Sequence, residues 1–199
     1  MSNRPLAIVF DVFGTLANIG DKKAPYRFLL NCDSEQGRAL QKNDDQDFAS
    51  TKSYFEEVSD KLGMCIPTPI LIQLDQMLDE EIESIHLYDD TLSTIADLQA
   101  AGYKIAICSH LPTPYDQAVH LLLPDVDAYM WSNELNKKQD KETIYQDLIK
   151  ILDCSVEDIL FVGDSPFTTF DHPIDFKVPP RLVQRQQGHT LKHVLDDLL

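Results

Sequence analysis

The chain has 199 residues, of which 43% are hydrophobic and 25% are charged, a composition typical of a folded globular protein rather than a disordered one. Its length allows one full domain together with a small accessory one. The formal charge of −16 at pH 7 argues against nucleic acid or an anionic membrane as the main partner, because both would be repelled at long range. The same charge also repels anionic substrates. If a phosphorylated compound is bound, local Lys side chains and backbone N–H groups, together with a metal ion, must reverse the potential where it binds.

The cysteine pattern indicates the cellular compartment. The four cysteines are Cys32, Cys65, Cys108 and Cys154. They form no CxxC pair, so they suggest neither a zinc site nor a disulfide framework. The first apolar stretch is interrupted by Asp11 before a signal-peptide core could form, and no run approaches the roughly 20 residues that span a bilayer. We expect a cytoplasmic location.

The first apolar run, Leu6 to Phe10, ends in Asp11 and is followed by Val12-Phe13-Gly14-Thr15. This pattern predicts a buried strand that delivers a carboxylate to its C-terminal edge, where open α/β sheets bind their ligands. Taken alone, the segment is equally compatible with an ordinary turn after a strand.

Residues 17–88 have helical rather than strand periodicity. A longer helix begins near Pro67 and Pro69, and its apolar stripe comprises Ile70, Leu74, Met77, Leu78, Ile82 and Ile85. A second helix precedes it and ends at Gly63, with an apolar stripe of Phe48, Phe55, Val58 and Leu62. The polar residues 31–47 predict a loop. A small helical insertion at this place is typical of a lid.

From residue 89 onward, strand and helix patterns alternate. A helix capped by Asp89 or Asp90 and stopped by Gly102 comes first, and a helix over 191–199 ends the chain. The elements between them are a strand at 105–108, a helix opened by Pro112 and Pro114, a strand at 128–131, a helix at 144–152 and a strand at 159–162. This alternation predicts a parallel sheet with helices on both faces.

Three later segments carry polar residues in the order that one active site would need. Ser109 ends the second of the long strands, Lys137 and Lys138 open an amphipathic stretch, and Gly163-Asp164-Ser165 ends the last apolar run. Together with the segment around Asp11, these motifs resemble those of the haloacid dehalogenase-like (HAD) hydrolase superfamily. The resemblance extends from Leu6 to about Arg185.

The resemblance implies an α/β fold with a Rossmann-like three-layer core, a parallel sheet and a small helical cap inserted after the first strand. On this basis we expect residues 1–16 and 89–199 to form the catalytic core, and residues 17–88 to form the cap.

The resemblance also assigns roles to the motif residues. Asp11 is the candidate nucleophile, and Lys138 is the cation that stabilises charge in the transition state. Asp11, Asp164 and the backbone carbonyl of Phe13 would bind Mg²⁺, which prefers oxygen ligands.

Four further residues are candidates for substrate binding. Gly14 would turn the chain so that backbone N–H groups point at an anion, and the Thr15 hydroxyl would hold that loop. Ser109 would donate to an oxygen of the substrate. His110 stands where many relatives have Asn, and it is equally compatible with substrate contact and with a half-exposed loop position.

The pattern departs from that of typical phosphatases of the superfamily at two places. Phe13 occupies the position of the usual general-acid Asp, and its ring cannot transfer a proton, which resembles the 2-haloacid dehalogenase branch. Asp164, in contrast, resembles the phosphotransfer branch. After Asp164, Thr168 and Thr169 stand where another acid is common, so that either Asp171 or Thr169 would complete the surroundings of the metal.

These observations lead to three hypotheses. The first is a Mg²⁺-dependent phosphatase or phosphotransferase that acts on a small phosphorylated metabolite. The second is a 2-haloacid dehalogenase-type hydrolase that cleaves a carbon–halogen bond. The third is a catalytically impaired binding protein with the HAD fold, because the general acid is missing.

Overall fold

The computed structural model describes residues 4–27, 53–61, 63–109, 111, 113–131, 147, 149–165 and 179–199. The strands of the described residues are β1 (Ala7–Phe10), β2 (Ala17–Ile19), β3 (Ile85–Leu87), β4 (Lys104–Ser109), β5 (Ala128–Trp131), β6 (Ile159–Gly163) and β7 (Arg181–Leu182). The α-helices are α1 (Tyr54–Lys61), α2 (Thr68–Glu83), α3 (Thr91–Ala100), α4 (Thr113–Leu122) and α5 (Leu191–Leu195). Residues 149–152 are also helical.

The main sheet has the strand order β5-β4-β1-β6-β7, and all its neighbouring strands are parallel. The chain builds the sheet outward from β1 on one side through β4 and β5, and then on the other side through β6 and β7. The order of the strands therefore reverses at β1, which creates the crevice where open α/β sheets bind ligands. The predicted parallel α/β architecture is confirmed.

Hydrophobic side chains fill both faces of the sheet. Ile8 and Phe10 point into a large cluster that includes Ile95 and Leu98 of α3. Ala7 and Val9 point to the opposite face, where the cluster includes Leu152 of the helical segment 149–152. All four residues of β1 are completely buried, as the near-continuous apolar run predicts for a central parallel strand.

The insertion begins and ends in a two-stranded ribbon. β2 pairs antiparallel with β3, which closes the segment between them, and α1 and α2 lie within that segment. Phe55 of α1 and Leu74 of α2 belong to the same apolar cluster as Phe10 of β1. The insertion therefore shares its core with the main sheet. The division of the chain into a core and a cap at residues 16 and 89 stays a prediction.

Some elements differ from the sequence-based expectation. Ile85 continues the helical stripe in the sequence, but α2 ends at Glu83 and Ile85 begins β3, where it pairs with Ile19. The two-residue strand β7 was not predicted, and α5 ends at Leu195 rather than at the end of the chain. In the described residues, no helix has the length and apolar character that crossing a membrane requires.

A buried carboxylate fastens the insertion to the rest of the molecule. Glu81 of α2 is 3% exposed, and one of its oxygens accepts the backbone N–H groups of Lys23 at 2.7 Å and Ala24 at 2.5 Å. Its other oxygen accepts the hydroxyl of Tyr115, on α4, at 3.1 Å. Burial, followed by the charge of Glu81, raises the pKa of Tyr115, so the phenol stays protonated and remains a donor.

We expect Glu81→Ala to destabilise the protein by about 1–3 kcal/mol, because it leaves buried donors without an acceptor. Urea unfolding measures this change. Glu83→Ala in the same helical turn is the control, since Glu83 is exposed and should shift stability by less than about 0.5 kcal/mol. Equal effects of the two substitutions would contradict the role of Glu81.

Candidate active site

The register of the sheet brings three of the predicted polar residues to one edge. Phe10 pairs with Ile107 of β4 and with Val162 of β6, so Asp11 follows at the level of Cys108 and Gly163. Ser109 and Asp164 lie one residue further along β4 and β6. Parallel strands end at the same edge, and the three side chains therefore belong to one site.

Asp11 is held by contacts on both neighbouring strands. The Ser109 hydroxyl donates to Oδ1 of Asp11 at 2.7 Å, and the Asp11 backbone N–H donates to the carbonyl of Val162 at 3.0 Å. Ser109 is only 8% exposed. This hydrogen bond orients the Asp11 carboxylate, and the predicted donation from Ser109 to an oxygen of the substrate stays a prediction.

Cys108 lies beside Asp11 but is not a competing nucleophile. Burial, and to a smaller extent the Asp11 carboxylate, raise the pKa of the Cys108 thiol to about 12. Because the thiolate is the reactive form, this cysteine is inert near neutral pH. Asp11 is therefore the stronger candidate for nucleophilic attack at this edge.

Gly14 allows Asp164 to approach the loop that follows β1. Gly14 has a φ of +80°, and a Cβ placed on it would lie 2.4 Å from Oδ2 of Asp164. A side chain at position 14 would therefore be strained by the backbone conformation and would also collide with the carboxylate. Glycine is needed here because the Asp164 carboxylate packs directly against the loop.

Four N–H groups of the same loop bond within the turn. The N–H of Gly14 donates to the carbonyl of Ala17, and the N–H groups of Thr15, Leu16 and Ala17 all donate to the carbonyl of Val12. These bonds close the turn, and the predicted binding of an anion by backbone N–H groups around Gly14 stays a prediction.

Thr15 does not hold the loop through its hydroxyl, although the sequence predicted that it would. Its side chain is fully buried, and the hydroxyl has no hydrogen-bond partner among the described residues. Its carbonyl instead accepts two hydrogen bonds from Arg185. Thr15 thus holds the loop through its backbone rather than through its hydroxyl, and its direct contact with substrate stays a prediction.

The Phe13 ring packs into an aromatic group. It meets the Tyr115 ring edge to face with centroids 6.2 Å apart, and Tyr115 in turn contacts the Tyr26 ring at 6.1 Å. These contacts give the Phe13 side chain a packing role. Proton donation from residue 13 is chemically impossible.

The donor set of the site fits Mg²⁺. The carboxylates of Asp11 and Asp164 are hard oxygen donors, and Mg²⁺ commonly binds one or two carboxylates and keeps several waters. The Phe13 carbonyl as a third ligand, and the binding of Mg²⁺ itself, stay predictions. The space that a Cβ of residue 14 would fill is where the Asp164 carboxylate sits beside the loop. In the described part of the chain, no group of three or more His, Cys, Asp or Glu side chains could hold a metal, so a denser carboxylate site is not present there.

A cleft of about 510 Å³ opens beside Gly14 and Asp164. Its other lining residues are Asn18, Tyr88, Val183, Gln184, Arg185, Gln186 and Gln187. Burial raises the pKa of Tyr88; the Arg185 cation opposes this shift and the Asp164 carboxylate adds to it. The Tyr88 hydroxyl therefore lies within electrostatic reach of both charges.

Tyr88 and Arg185 were not identified from the sequence as parts of the site. Neither belongs to a motif, and only the fold brings them to this edge. Lys138, His110, Thr168, Thr169 and Asp171 lie outside the described residues, so their predicted roles stay predictions.

Comparison with known proteins agrees with this geometry. The model of the haloacid dehalogenase-like hydrolase family matches residues 5–167. None of the curated protein sequences compared with the chain matches it significantly.

Several solved structures share the fold. A HAD family enzyme from Bacteroides thetaiotaomicron, solved with magnesium and inorganic phosphate, has a TM-score of 0.61 at 13% identity, with 94% of this chain and 97% of that chain covered. A predicted phosphoglycolate phosphatase from Haemophilus somnus 129PT has a TM-score of 0.51 at 18% identity, covering 82% of this chain and 78% of that chain. A dehalogenase solved with an intermediate complex has a TM-score of 0.51 at 18% identity, covering 83% of this chain and 79% of that chain.

At these identities, the structural matches show the fold alone. The family match extends over most of the chain, and the parallel α/β sheet agrees with the fold of the matched structures. The chain therefore belongs to the haloacid dehalogenase-like hydrolases.

Proposed function

We propose that the protein is a Mg²⁺-dependent phosphatase or phosphotransferase that acts on a small phosphorylated metabolite. The observation that carries this proposal is the approach of Asp164 to the Asp11 loop. Asp164 packs on Gly14 of the loop that follows Asp11, and a divalent cation bound by both carboxylates would offset the repulsion between them. The Mg²⁺-bound and phosphate-bound enzyme from Bacteroides thetaiotaomicron, which shares the fold, supports the same choice.

In the proposed reaction, an Asp11 carboxylate oxygen attacks phosphorus and forms a new P–O bond. The bond between phosphorus and the ester oxygen breaks, and the leaving oxygen takes the electron pair. The leaving oxygen takes its proton from solvent. Water then attacks the phosphorus of the acyl phosphate and loses a proton to solvent, while the bond between phosphorus and the Asp11 oxygen breaks, so that inorganic phosphate is released and the Asp11 carboxylate is restored. Each step needs in-line attack, and the Ser109 hydroxyl bond to Asp11 fixes the carboxylate for it.

Other residues supply binding and charge. Bound Mg²⁺ would neutralise charge on the phosphoryl oxygens and hold them beside the nucleophile. Asp164 and the Phe13 carbonyl are the proposed ligands beside Asp11, and Lys138 is the proposed cation that faces the transferred group. These groups would offset the repulsion between an acidic protein and an anionic substrate.

The leaving group sets the limits of this chemistry. Since Phe13 has no proton to donate, esters whose leaving oxygen is already a good anion should react far better than simple alkyl phosphates. The same property favours a second candidate, hydrolysis of a carbon–halogen bond, because halide leaves without a proton. The packing of Phe13 against Tyr115 is the observation that supports this alternative.

Turnover of 4-nitrophenyl phosphate tests the first candidate. We expect Mg²⁺-dependent release of 4-nitrophenol that stops in EDTA and falls to background in Asp11→Asn and Asp164→Asn. Asp97→Asn is the control, because Asp97 lies on the surface of α3 at 56% exposure and should leave turnover unchanged. Absence of turnover in folded protein, or halide release from 2-chloropropionate that persists in EDTA, would contradict the proposal.

Replacing Phe13 tests the reason for the expected leaving-group preference. We expect Phe13→Asp to raise kcat/KM for an alkyl phosphate, relative to 4-nitrophenyl phosphate, by about 10²–10⁴-fold, the usual contribution of a general acid. Phe13→Asn is the matched control, since it removes the same ring without supplying a proton. An equal change in the two variants would show that the effect comes from lost packing on Tyr115.

Gly14→Ala tests the contact between the loop and Asp164. We expect weaker Mg²⁺ affinity and lower kcat, because the new Cβ displaces the Asp164 carboxylate. Gly102→Ala is the control: its φ is +88°, but a Cβ there meets nothing within 4 Å. Both variants should lose about 1–3 kcal/mol of stability from the left-handed backbone, measured by urea unfolding. Unchanged Mg²⁺ affinity in Gly14→Ala would contradict the placement of Asp164.

A further inference from the structure

Arg185 is a buried cation that contacts the loop carrying the catalytic motif. Its side chain is 8% exposed, and its Nε and Nη2 donate to the Thr15 carbonyl at 3.0 and 2.7 Å. The two residues are 170 positions apart in the sequence. A planar guanidinium that places two N–H groups on one carbonyl fixes both the position and the orientation of that peptide.

The rest of the guanidinium is held equally well. Nη1 donates to the Asp90 carboxylate at 3.0 Å and to the carbonyl of His189 at 3.2 Å. The guanidinium carbon lies 4.2 Å from the centre of the Tyr88 ring, in the geometry of a cation–π contact. Asp90 also accepts the backbone N–H of Leu191 at 2.5 Å. The side chain therefore cannot move without breaking contacts to three separate parts of the fold.

These contacts complete the support of the nucleophile loop. At one end, Asp11 is fixed by Ser109 and by the carbonyl of Val162. At the other end, the Leu16 carbonyl accepts the Thr91 hydroxyl at 2.7 Å and the Tyr88 N–H at 3.1 Å. Arg185 holds the peptide between them, directly after the glycine on which the Asp164 carboxylate packs.

We propose that Arg185 is a positioning residue for the HAD nucleophile loop, acting through the Thr15 carbonyl with Asp90 as the group that orients it. This inference rests on the proposed function for its kinetic readout. Arg185 sets the place of Gly14, and thereby the distance between the loop and the Asp164 carboxylate. Loss of the two hydrogen bonds from Arg185 to the Thr15 carbonyl would let the loop shift. This shift lowers the rate of the chemical step more than it weakens substrate binding.

The test compares Arg185→Lys and Arg185→Met with Arg181→Met. Lysine keeps a charge for Asp90 but cannot place two N–H groups on the Thr15 carbonyl, and methionine removes both contacts. Arg181 is the matched control, because it lies on β7 and its guanidinium bonds the carbonyl of Val194 and the carboxylate of Asp197 rather than the loop. Circular dichroism checks that each variant folds. If Arg185→Met fails to fold, Arg185→Lys with a near-native spectrum still provides the test.

With 4-nitrophenyl phosphate and Mg²⁺, we expect Arg185→Lys to lower kcat by about 10–100-fold, since small misplacement of reacting groups has effects of this size. KM should change less than about 3-fold, and Arg181→Met should match the original protein. Millimolar guanidinium should restore part of the activity of Arg185→Met. Unchanged kcat in Arg185→Lys, or an equal loss in Arg181→Met, would overturn the proposal.

Hydrogen exchange measured by mass spectrometry separates failure of this inference from failure of the proposed function. If the original protein turns over no phosphate ester, the proposed function fails, but the loop readout still applies. Faster exchange in the peptide covering residues 11–17 of Arg185→Lys, and not of Arg181→Met, supports the positioning role. Equal exchange in all three proteins would overturn it.

Discussion

The pairing of β1 with β4 and β6 is the constraint on which the rest of the site depends. β1 is completely buried in the middle of a parallel sheet, and its pairing places Asp11 next to the ends of both neighbouring strands. A slip of one residue would turn every side chain of β1 to the opposite face and would separate Asp11 from Ser109 and Asp164. Such a slip would exchange the large Ile8 and Phe10 with the smaller Ala7 and Val9 between two filled clusters, and this exchange opposes it. The packing of an apolar strand therefore determines where Asp11 lies relative to Ser109 and the end of β6.

The loop after β1 contacts Asp164 and Arg185 at the edge of the sheet that carries Asp11. Gly14 permits the close approach of Asp164, and Arg185 restrains the next peptide from the far end of the chain. The site thus adds carboxylates to a protein whose formal charge is −16, and the guanidinium of Arg185 is already bound to the Thr15 carbonyl and to Asp90. Stable binding of an anionic substrate then requires further positive charge, which the proposed Mg²⁺ and Lys138 would supply.

The sequence predicts the longer parallel strands well, because each of them is an apolar run that ends in a polar residue or glycine. It does not predict the ribbon of β2 and β3, since these strands have three residues each and Ile85 also fits the helical spacing of the preceding stripe.

Asp90 shows a second limit of prediction from the sequence. It precedes α3 as the sequence predicts for a cap, yet its side chain makes no capping bond and pairs with Arg185 instead. Arg185 has no local signal at all, because its partners are distant in the chain and only the fold brings them together. The hydrogen bonds inside the loop are a further limit, because the N–H groups of residues 14–17 bond within the turn itself, which a motif does not reveal.

A crystal structure of the protein with Mg²⁺ and beryllium trifluoride tests the central claim most directly, because this phosphate mimic bonds to an aspartate nucleophile. The account predicts continuous density from an Asp11 carboxylate oxygen to beryllium, with Mg²⁺ bound by Asp11, Asp164 and the carbonyl of Phe13. Beryllium fluoride bound elsewhere, or carboxylates of Asp11 and Asp164 that face separate regions of the protein, would contradict it.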